Sequence, residues 1–111
     1  MSLSIKLEVE PVRSLGFASI AAGYIGVGTS ISNPARMLLM QNFTNANLMF
    51  SFNGIDDHIP LISYSYLILD ISSNKNTDGG FFLAEGERLY VKQMDVPTSG
   101  SVYLTVFYGE D

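Results

Sequence analysis

The residues best suited to acid–base or metal chemistry lie together in one short stretch. Asp56, Asp57 and His58 follow one another directly, and the chain has no other histidine. A carboxylate beside an imidazole can transfer protons or bind a metal ion. Consecutive residues in a turn seldom converge on one point, however, and we interpret this stretch as a solvated turn. A hydrolase would need His58 buried in a cleft beside a carboxylate, and the sequence has no Gly-x-Ser-x-Gly nucleophile motif.

Three other segments contain only part of a ligand-binding motif. Residues 23–28 are as rich in glycine as a phosphate-binding loop, but they lack the Lys-Ser/Thr pair that such a loop requires. Asparagine and aspartate alternate over residues 74–78 as in a calcium loop, without the bidentate glutamate. The two glutamates that flank Gly86 are expected to keep a turn soluble. We therefore predict that the protein is not an enzyme and holds no metal or cofactor.

Composition favours a small domain that acts through its surface. The chain has 111 residues, enough for one domain, and charged residues make up only 15% of it, which leaves little charge to cover the exterior. We interpret this as a sign that a partner covers part of the surface. Cysteine is absent, which excludes disulfides and thiolate metal sites. The net charge is −5 and the basic residues are scattered, so nucleic acid is not an expected partner.

The sequence also gives no indication of a membrane partner. Residues 1–10 alternate and carry Glu8 and Glu10 where a signal peptide needs an apolar run. The longest apolar run, residues 37–40, is far too short to cross a bilayer. We therefore expect a protein that is made in the cytoplasm and stays soluble.

Short β-strands are the elements that the pattern predicts. The clearest is 101–108, in which Val102, Leu104, Val106 and Tyr108 would share one face and Ser101, Tyr103, Thr105 and Phe107 the other. The second face contains two aromatic residues, so this strand is apolar on both sides. A strand of that kind is either sandwiched or paired with another molecule.

Similar patterns recur along the chain. Further strands are predicted over residues 3–9, 35–43, 47–52, 59–62, 66–71, 81–83 and 88–94, separated by turn residues. Residues 1–10 would form an edge strand or an N-terminal arm. Residues 12–28 are read as extended chain with close backbone contacts at glycine, and the competing interpretation is a short helix over residues 17–22. About eight short strands predict an all-β, antiparallel, jelly-roll-like sandwich that occupies residues 1–111 as a single domain.

Two surfaces are candidates for binding. The alternating N-terminal strand and the second face of the last strand predict a partner interface at Leu3, Ile5, Leu7, Val9, Tyr103 and Phe107. A sugar-binding platform would instead need aromatic rings exposed side by side, and Tyr64, Tyr66, Tyr103 and Tyr108 are the residues that could provide it. Core packing is the favoured interpretation of most of the aromatic residues.

Three segments resemble a known family. They are Gln41–Gly54 (QNFTNANLMFSFNG), Phe82–Lys92 (FLAEGERLYVK) and Pro97–Tyr108 (PTSGSVYLTVFY). Their pattern of strand and turn residues resembles that of the capsid-decorating "staple" or cement proteins of epsilon-fifteen-type short-tailed bacteriophages. The resemblance implies a jelly-roll-like homodimer on the exterior of the virion, bound over junctions between major capsid protein subunits. It transfers no functional motif residue by residue. The alternative is a carbohydrate- or receptor-binding jelly-roll module of a phage virion.

Overall fold

Nine β-strands form in the computed structural model, which describes residues 6–70 and 86–110. They are β1 (Lys6–Val9), β2 (Arg13–Gly16), β3 (Ile25–Gly26), β4 (Ala35–Asn42), β5 (Leu48–Ser51), β6 (Ile59–Leu61), β7 (Ser65–Asp70), β8 (Tyr90–Gln93) and β9 (Ser101–Glu110). Within these ranges the helical structure consists of one 3₁₀ turn, Phe17–Ser19, so the competing short helix does not form as an α-helix. No helix in this part of the chain is long and apolar enough to cross a membrane.

The strands build two antiparallel sheets. The five-stranded sheet has the order β1-β9-β4-β7, with β2 also paired to β9, and the four-stranded sheet has the order β3-β8-β5-β6. β1 pairs with the end of β9 and β2 with its beginning, so both lie along the edge of β9 that β4 does not occupy. From β2 to β5, and again from β6 to β9, successive strands alternate between the two sheets, as in a jelly roll. The predicted fold class, an all-β antiparallel sandwich, is confirmed.

The core lies between the two sheets and follows the alternation of the strands. Val102, Leu104 and Val106 of β9 are buried there, as the sequence predicted for that face. Leu38 and Met40 extend this layer from β4, and Phe50 with Val91 meets it from the four-stranded sheet. Large aliphatic and aromatic side chains therefore stabilise the sandwich by removing apolar surface from water.

Close backbone contacts at glycine are confirmed on either side of Val27. A Cβ atom at Gly26 would collide with the guanidinium of Arg88, and one at Gly28 would lie 2.8 Å from the Cβ of Arg13. Gly28 also has a φ of +68°, a conformation that L side chains rarely adopt. The two arginines therefore pack directly on this backbone, which only glycine leaves open.

The N-terminal segment is an edge strand over its described part. Lys6–Val9 pairs with β9 and does not extend away from the domain as an arm. Leu3, Ile5, residues 74–78, Glu85 and the predicted strand 81–83 lie outside the described residues.

Candidate functional site

One face of the five-stranded sheet points away from the core, and we call it the outer face. The register of β1, β9, β4 and β7 places alternate residues of each strand on it. Val9 lies opposite Phe107, and Leu39 lies between Thr105 and Ile68. The apolar members of the outer face are Leu7, Val9, Met37, Leu39, Tyr66, Ile68, Tyr103 and Phe107.

Four of these side chains are largely open to solvent at the two margins of the sheet. Leu7 and Val9 are 55% and 53% exposed on β1, and Tyr66 and Ile68 are 65% and 52% exposed on β7. Those on β4 and β9 between them are half-buried by their neighbours. Exposed apolar residues that form a continuous sheet surface, unlike scattered single ones, mark an interaction site.

The outer face is also poor in charge. Asp70, at the end of β7, is the one charged residue that the strand registers place on it within residues 6–70 and 86–110. Gln41, Thr105, Ser14 and Ser101 are its neutral polar members. Arg36 is half-buried in the bulge beside Met37, where the register assigns it to neither face. Phe43 continues the surface beyond β4, where its ring meets Tyr103 edge-on with centroids 5.7 Å apart. A partner for this face must itself be largely apolar and uncharged.

The structure brings together the four predicted interface residues that it describes. Leu7, Val9, Tyr103 and Phe107 come from opposite ends of the chain, yet all lie on the outer face because β1 pairs with β9. The sequence did not identify the contribution of β4. The predicted strand over residues 35–43 was not assigned to the interface, but no second layer in the described chain covers Met37 and Leu39, which are half-buried. Their apolar character was visible in the sequence, but which side of the sheet faces solvent was not.

The Asp56–His58 stretch forms part of the loop between β5 and β6. Nδ1 of His58 accepts a hydrogen bond from the backbone N–H of Phe52 at 3.0 Å, and the imidazole stacks on the Phe52 ring. Asp56 accepts instead from the amide of Asn53 at 2.8 Å. The three side chains of the stretch thus serve different partners within the fold. Among the described residues no group of His, Asp or Glu gathers to form a metal site.

Asp57 fastens the same loop to the rest of the four-stranded sheet. Its Oδ1 accepts a hydrogen bond from the Tyr24 hydroxyl at 2.6 Å and lies 2.9 Å from Nζ of Lys92. The hydrogen bonds from Tyr24 and Lys92 lower the pKa of Asp57. Burial and the bond to Asp57 raise the pKa of Tyr24 well above its usual range. Tyr24 therefore stays protonated and joins the loop to the sheet through its hydrogen bond to Asp57.

The four tyrosines considered for a sugar platform are not grouped together. Tyr66 and Tyr103 share the outer face, but Gln41 lies between them. Tyr108 lines a cavity at the other side of the sheet. Tyr64 is 67% exposed in the turn before β7, where its φ is +57°. Tyr64 and Tyr66 are therefore the exposed tyrosines available to an external ligand.

Comparisons with known proteins agree with the fold and leave the function open. No protein-family model matches the chain, and no curated protein does. A solved structure from Bacillus endospore appendages, which form a novel family of disulfide-linked pili, is similar with a TM-score of 0.51. The match covers 97% of this chain and 92% of that chain at 7% sequence identity. At that identity the likeness shows a shared fold alone.

Proposed function

We propose that this protein is a structural virion protein that binds the outside of an icosahedral phage capsid across subunit junctions and stabilises the shell. The outer face carries the proposal, because it offers an apolar and nearly uncharged sheet surface to a larger partner. That partner is the major capsid protein. The protein is made in the host cytoplasm, ends on the exterior of the virion and catalyses no reaction.

The size of the outer face supports a docking role. The four strands are 4, 10, 8 and 6 residues long in sheet order. At a spacing of about 4.8 Å they cover roughly 450 Å², the size of the largest apolar patches on monomers, which are often functional. One such contact gives modest affinity, since a standard interface buries about 800 Å² per partner. Many copies on one lattice can still stabilise a shell, because each adds its own contact to neighbouring subunits.

The three sequence segments that resemble decoration proteins are a separate argument for the same proposal. They include β5 and most of β8 and β9, and β9 is one of the two central strands of the outer face. The similar pilus structure belongs to a repeated assembly that is linked by disulfides. Any assembly of this chain must form without disulfides, because the sequence contains no cysteine.

Sedimentation with capsids that lack the protein tests the proposal. The purified protein should pellet with such capsids saturably and at a fixed ratio to the capsid subunit. Ile68→Lys, in the middle of β7, should lower occupancy at least tenfold, because it places a charge in an apolar contact. Ile55→Lys is the matched control, since Ile55 is 80% exposed in the loop after β5 and is not on the outer face. A folded wild-type protein that ignores capsids, or equal loss in both variants, would overturn the proposal.

The proposed assembly unit is a homodimer. A two-fold pair would present two outer faces to neighbouring capsid subunits and would double the contact per bound unit. The mass from analytical ultracentrifugation decides this point, and a monomer at micromolar concentration in solution and on the capsid would contradict it.

The second candidate is a carbohydrate- or receptor-binding module of a phage virion. The exposed rings of Tyr64 and Tyr66 favour it, and jelly rolls occur in lectin as well as capsid domains. This candidate predicts retention on a glycan array, with loss of binding in Tyr64→Ala but not in Ile55→Ala. Capsid binding with no glycan retention would exclude it.

A further inference from the structure

The loop between β5 and β6 contains the dipeptide Asn53–Gly54, and no other asparagine of the chain precedes a glycine. Asn-Gly is the dipeptide most prone to deamidation, because glycine has no side chain to hinder attack by its backbone nitrogen. In this reaction the Gly54 nitrogen loses its proton and attacks Cγ of Asn53, and Nδ2 leaves as ammonia. Water then opens the resulting succinimide ring to aspartate or isoaspartate. Water is the only reactant that the conversion consumes.

The fold requires both residues of this dipeptide. Gly54 has a φ of +75°, and a Cβ at this position would lie 3.3 Å from the ring of Tyr90. Oδ1 of Asn53 accepts hydrogen bonds from the backbone N–H groups of Ile55 at 2.8 Å and Asp56 at 2.9 Å. The backbone thus needs a glycine, and the turn needs a side-chain oxygen just before it. The reactive dipeptide therefore cannot be replaced without disturbing the loop.

Ser51 holds the nitrogen that would have to attack. The Gly54 N–H donates to Ser51 Oγ at 2.9 Å, and the Asn53 N–H donates to the same oxygen at 3.2 Å. Ser51 is fully buried, so water does not compete for its hydroxyl. An amide proton in such a bond is withheld from hydroxide until the bond opens, which is also why it is protected from hydrogen exchange. Deprotonation of the Gly54 nitrogen is thereby slowed.

The side-chain amide of Asn53 is held as well. Its Oδ1 also accepts from the Ser51 hydroxyl at 2.9 Å, and its Nδ2 donates to Oδ2 of Asp56 at 2.8 Å. The donors to Oδ1 draw electrons from Cγ, which by itself would favour attack. Ring closure must nevertheless rotate this amide out of its bonds, and breaking two of them slows the reaction by about tenfold or more. We therefore expect the restraint to outweigh the polarisation.

We propose that Asn53–Gly54 is a deamidation site that the folded loop keeps closed, with the Ser51 hydroxyl as the group that holds the attacking nitrogen. The site opens only when the loop opens or the chain unfolds. This inference goes beyond the proposed function and does not depend on it. The test uses the purified protein alone, and capsid binding plays no part in the result.

Deamidation would detach the loop. A carboxylate at position 53 cannot donate to Asp56, and two like charges would then face each other where a hydrogen bond of 2.8 Å now lies. Isoaspartate also adds one carbon to the main chain, which displaces the N–H group of Ile55 from its acceptor. The same loop carries Asp57, whose bond to Tyr24 joins it to the four-stranded sheet. The conversion is irreversible, so this attachment would be lost for good.

Peptide mapping by mass spectrometry measures the reaction while the protein is incubated at mildly alkaline pH. Conversion at Asn53 should be at least about tenfold slower in the folded protein than in the same chain unfolded in guanidinium chloride. Ser51→Ala should accelerate it about tenfold under native conditions, because the Gly54 N–H loses its acceptor. Equal rates in the folded and the unfolded wild-type protein would overturn the proposal.

A control variant separates the local effect of Ser51 from a general loss of stability. Asn45→Leu lies in the turn at the opposite end of β5, so it should destabilise the protein without touching the loop and should deamidate like the wild type. Equal acceleration in Asn45→Leu and Ser51→Ala would contradict the role of Ser51. No acceleration in a folded Ser51→Ala protein would contradict it too.

A second pair of variants serves if Ser51→Ala does not fold. Asp56→Ala frees Nδ2 of Asn53 and should accelerate conversion, whereas Asp56→Asn keeps an oxygen acceptor and should not. Equal rates in these two variants would overturn the restraint on the side-chain amide.

Asn53→Asp reproduces the aspartate product directly. Its midpoint of thermal unfolding should lie about 4 °C or more below that of the wild type, because the loop loses its attachment. An unchanged midpoint would contradict the expected detachment.

Discussion

The side chain of Asn42 accepts two hydrogen bonds from Thr44, one from its backbone N–H at 3.0 Å and one from its hydroxyl at 2.6 Å. Both residues are fully buried. The Asn42 amide also donates to the carbonyl oxygens of Ala46 at 2.9 Å and Leu61 at 3.0 Å. This network joins the end of β4 to the β4–β5 turn and to β6, and so connects the two sheets at one end of the sandwich.

Replacing Asn42 should therefore be costly. Asn42→Leu is similar in size but leaves the Thr44 N–H and two carbonyl oxygens unsatisfied in the core, and we expect a loss of about 3 kcal/mol or more in the free energy of unfolding. Chemical denaturation measures the loss. Asn45→Leu, in the exposed part of the same turn, is the control and should cost about 1 kcal/mol. Equal losses in the two variants would show that the buried hydrogen bonds of Asn42 stabilise the fold no more than the exposed ones of Asn45.

Two glycines with the same backbone conformation should differ in their tolerance of alanine. Gly86 and Gly100 both have a φ of +91°. A Cβ at Gly86 would meet no atom of the described residues within 4 Å, whereas one at Gly100 would collide with the Phe43 carbonyl oxygen. Gly86→Ala should cost about 1 kcal/mol from backbone strain alone. Gly100→Ala must also displace the Phe43 backbone and should cost at least about 3 kcal/mol. Thermal unfolding of the two variants side by side tests the difference, and similar midpoints would contradict it.

Tyr64 is expected to lower the free energy of unfolding, because its backbone is strained while its ring stays exposed. A non-glycine residue at a φ of +57° costs about 1 kcal/mol relative to glycine, and the Tyr64 side chain is too exposed to recover this by burial. Tyr64→Gly should therefore raise the free energy of unfolding by about 0.5–1 kcal/mol. Reduced binding to capsid or glycan in the same stabilised variant would assign the ring to function. A less stable Tyr64→Gly protein would show that the ring is structural.

The Glu10–Arg13 pair predicts a stability that depends on pH. Burial raises the pKa of Glu10, but the hydrogen bonds from Asn33 and Arg13, the Arg13 charge and the Ser32 N–H lower it by more, so the folded pKa lies below the ordinary value of 4.5. The stabilisation by ionised Glu10 is thus complete above that value and is lost as the pH falls through the folded pKa. Glu10→Gln should cost about 3 kcal/mol at neutral pH, because it leaves Arg13 buried without its counter-ion. Unfolding of both proteins from pH 7 to pH 3 should show this gap narrowing, and a constant gap would contradict the prediction.

The sequence correctly predicted which side chains of β9 face the core, because this depends only on the two-residue period of a strand. β9 buries Val102, Leu104 and Val106 and turns Phe107 outward, as a period of two requires. The pairing of Val9 with Phe107 could not be predicted, because nothing local specifies which strands at opposite ends of a chain become neighbours. For the same reason the predicted interface included β1 and β9 but not β4, which lies between β9 and β7 in the sheet.

Other features depend on tertiary contacts that the sequence does not encode locally. Glu10 and Arg13 are three residues apart around Pro11, outside any helix, and no local pattern in the sequence predicts that they form a buried pair. Gly26 and Gly28 did signal a close approach, but not that Arg88 and Arg13 would be the approaching groups. Nη1 of Arg13 is buried without a hydrogen-bond partner among the described residues, and no sequence pattern predicts this.

The position of β9 in the five-stranded sheet also bears on how the protein folds during synthesis. β9 is the last of the nine strands to be translated, yet β1, β2 and β4 all pair with it. Until the ribosome has released it, the first two strands have no hydrogen-bonding partner in their sheet and β4 has only β7. Such long-range pairing is slow to form. The nascent chain must therefore keep its early apolar strands from aggregating until β9 has been synthesised, which gives chaperones a defined interval in which to act.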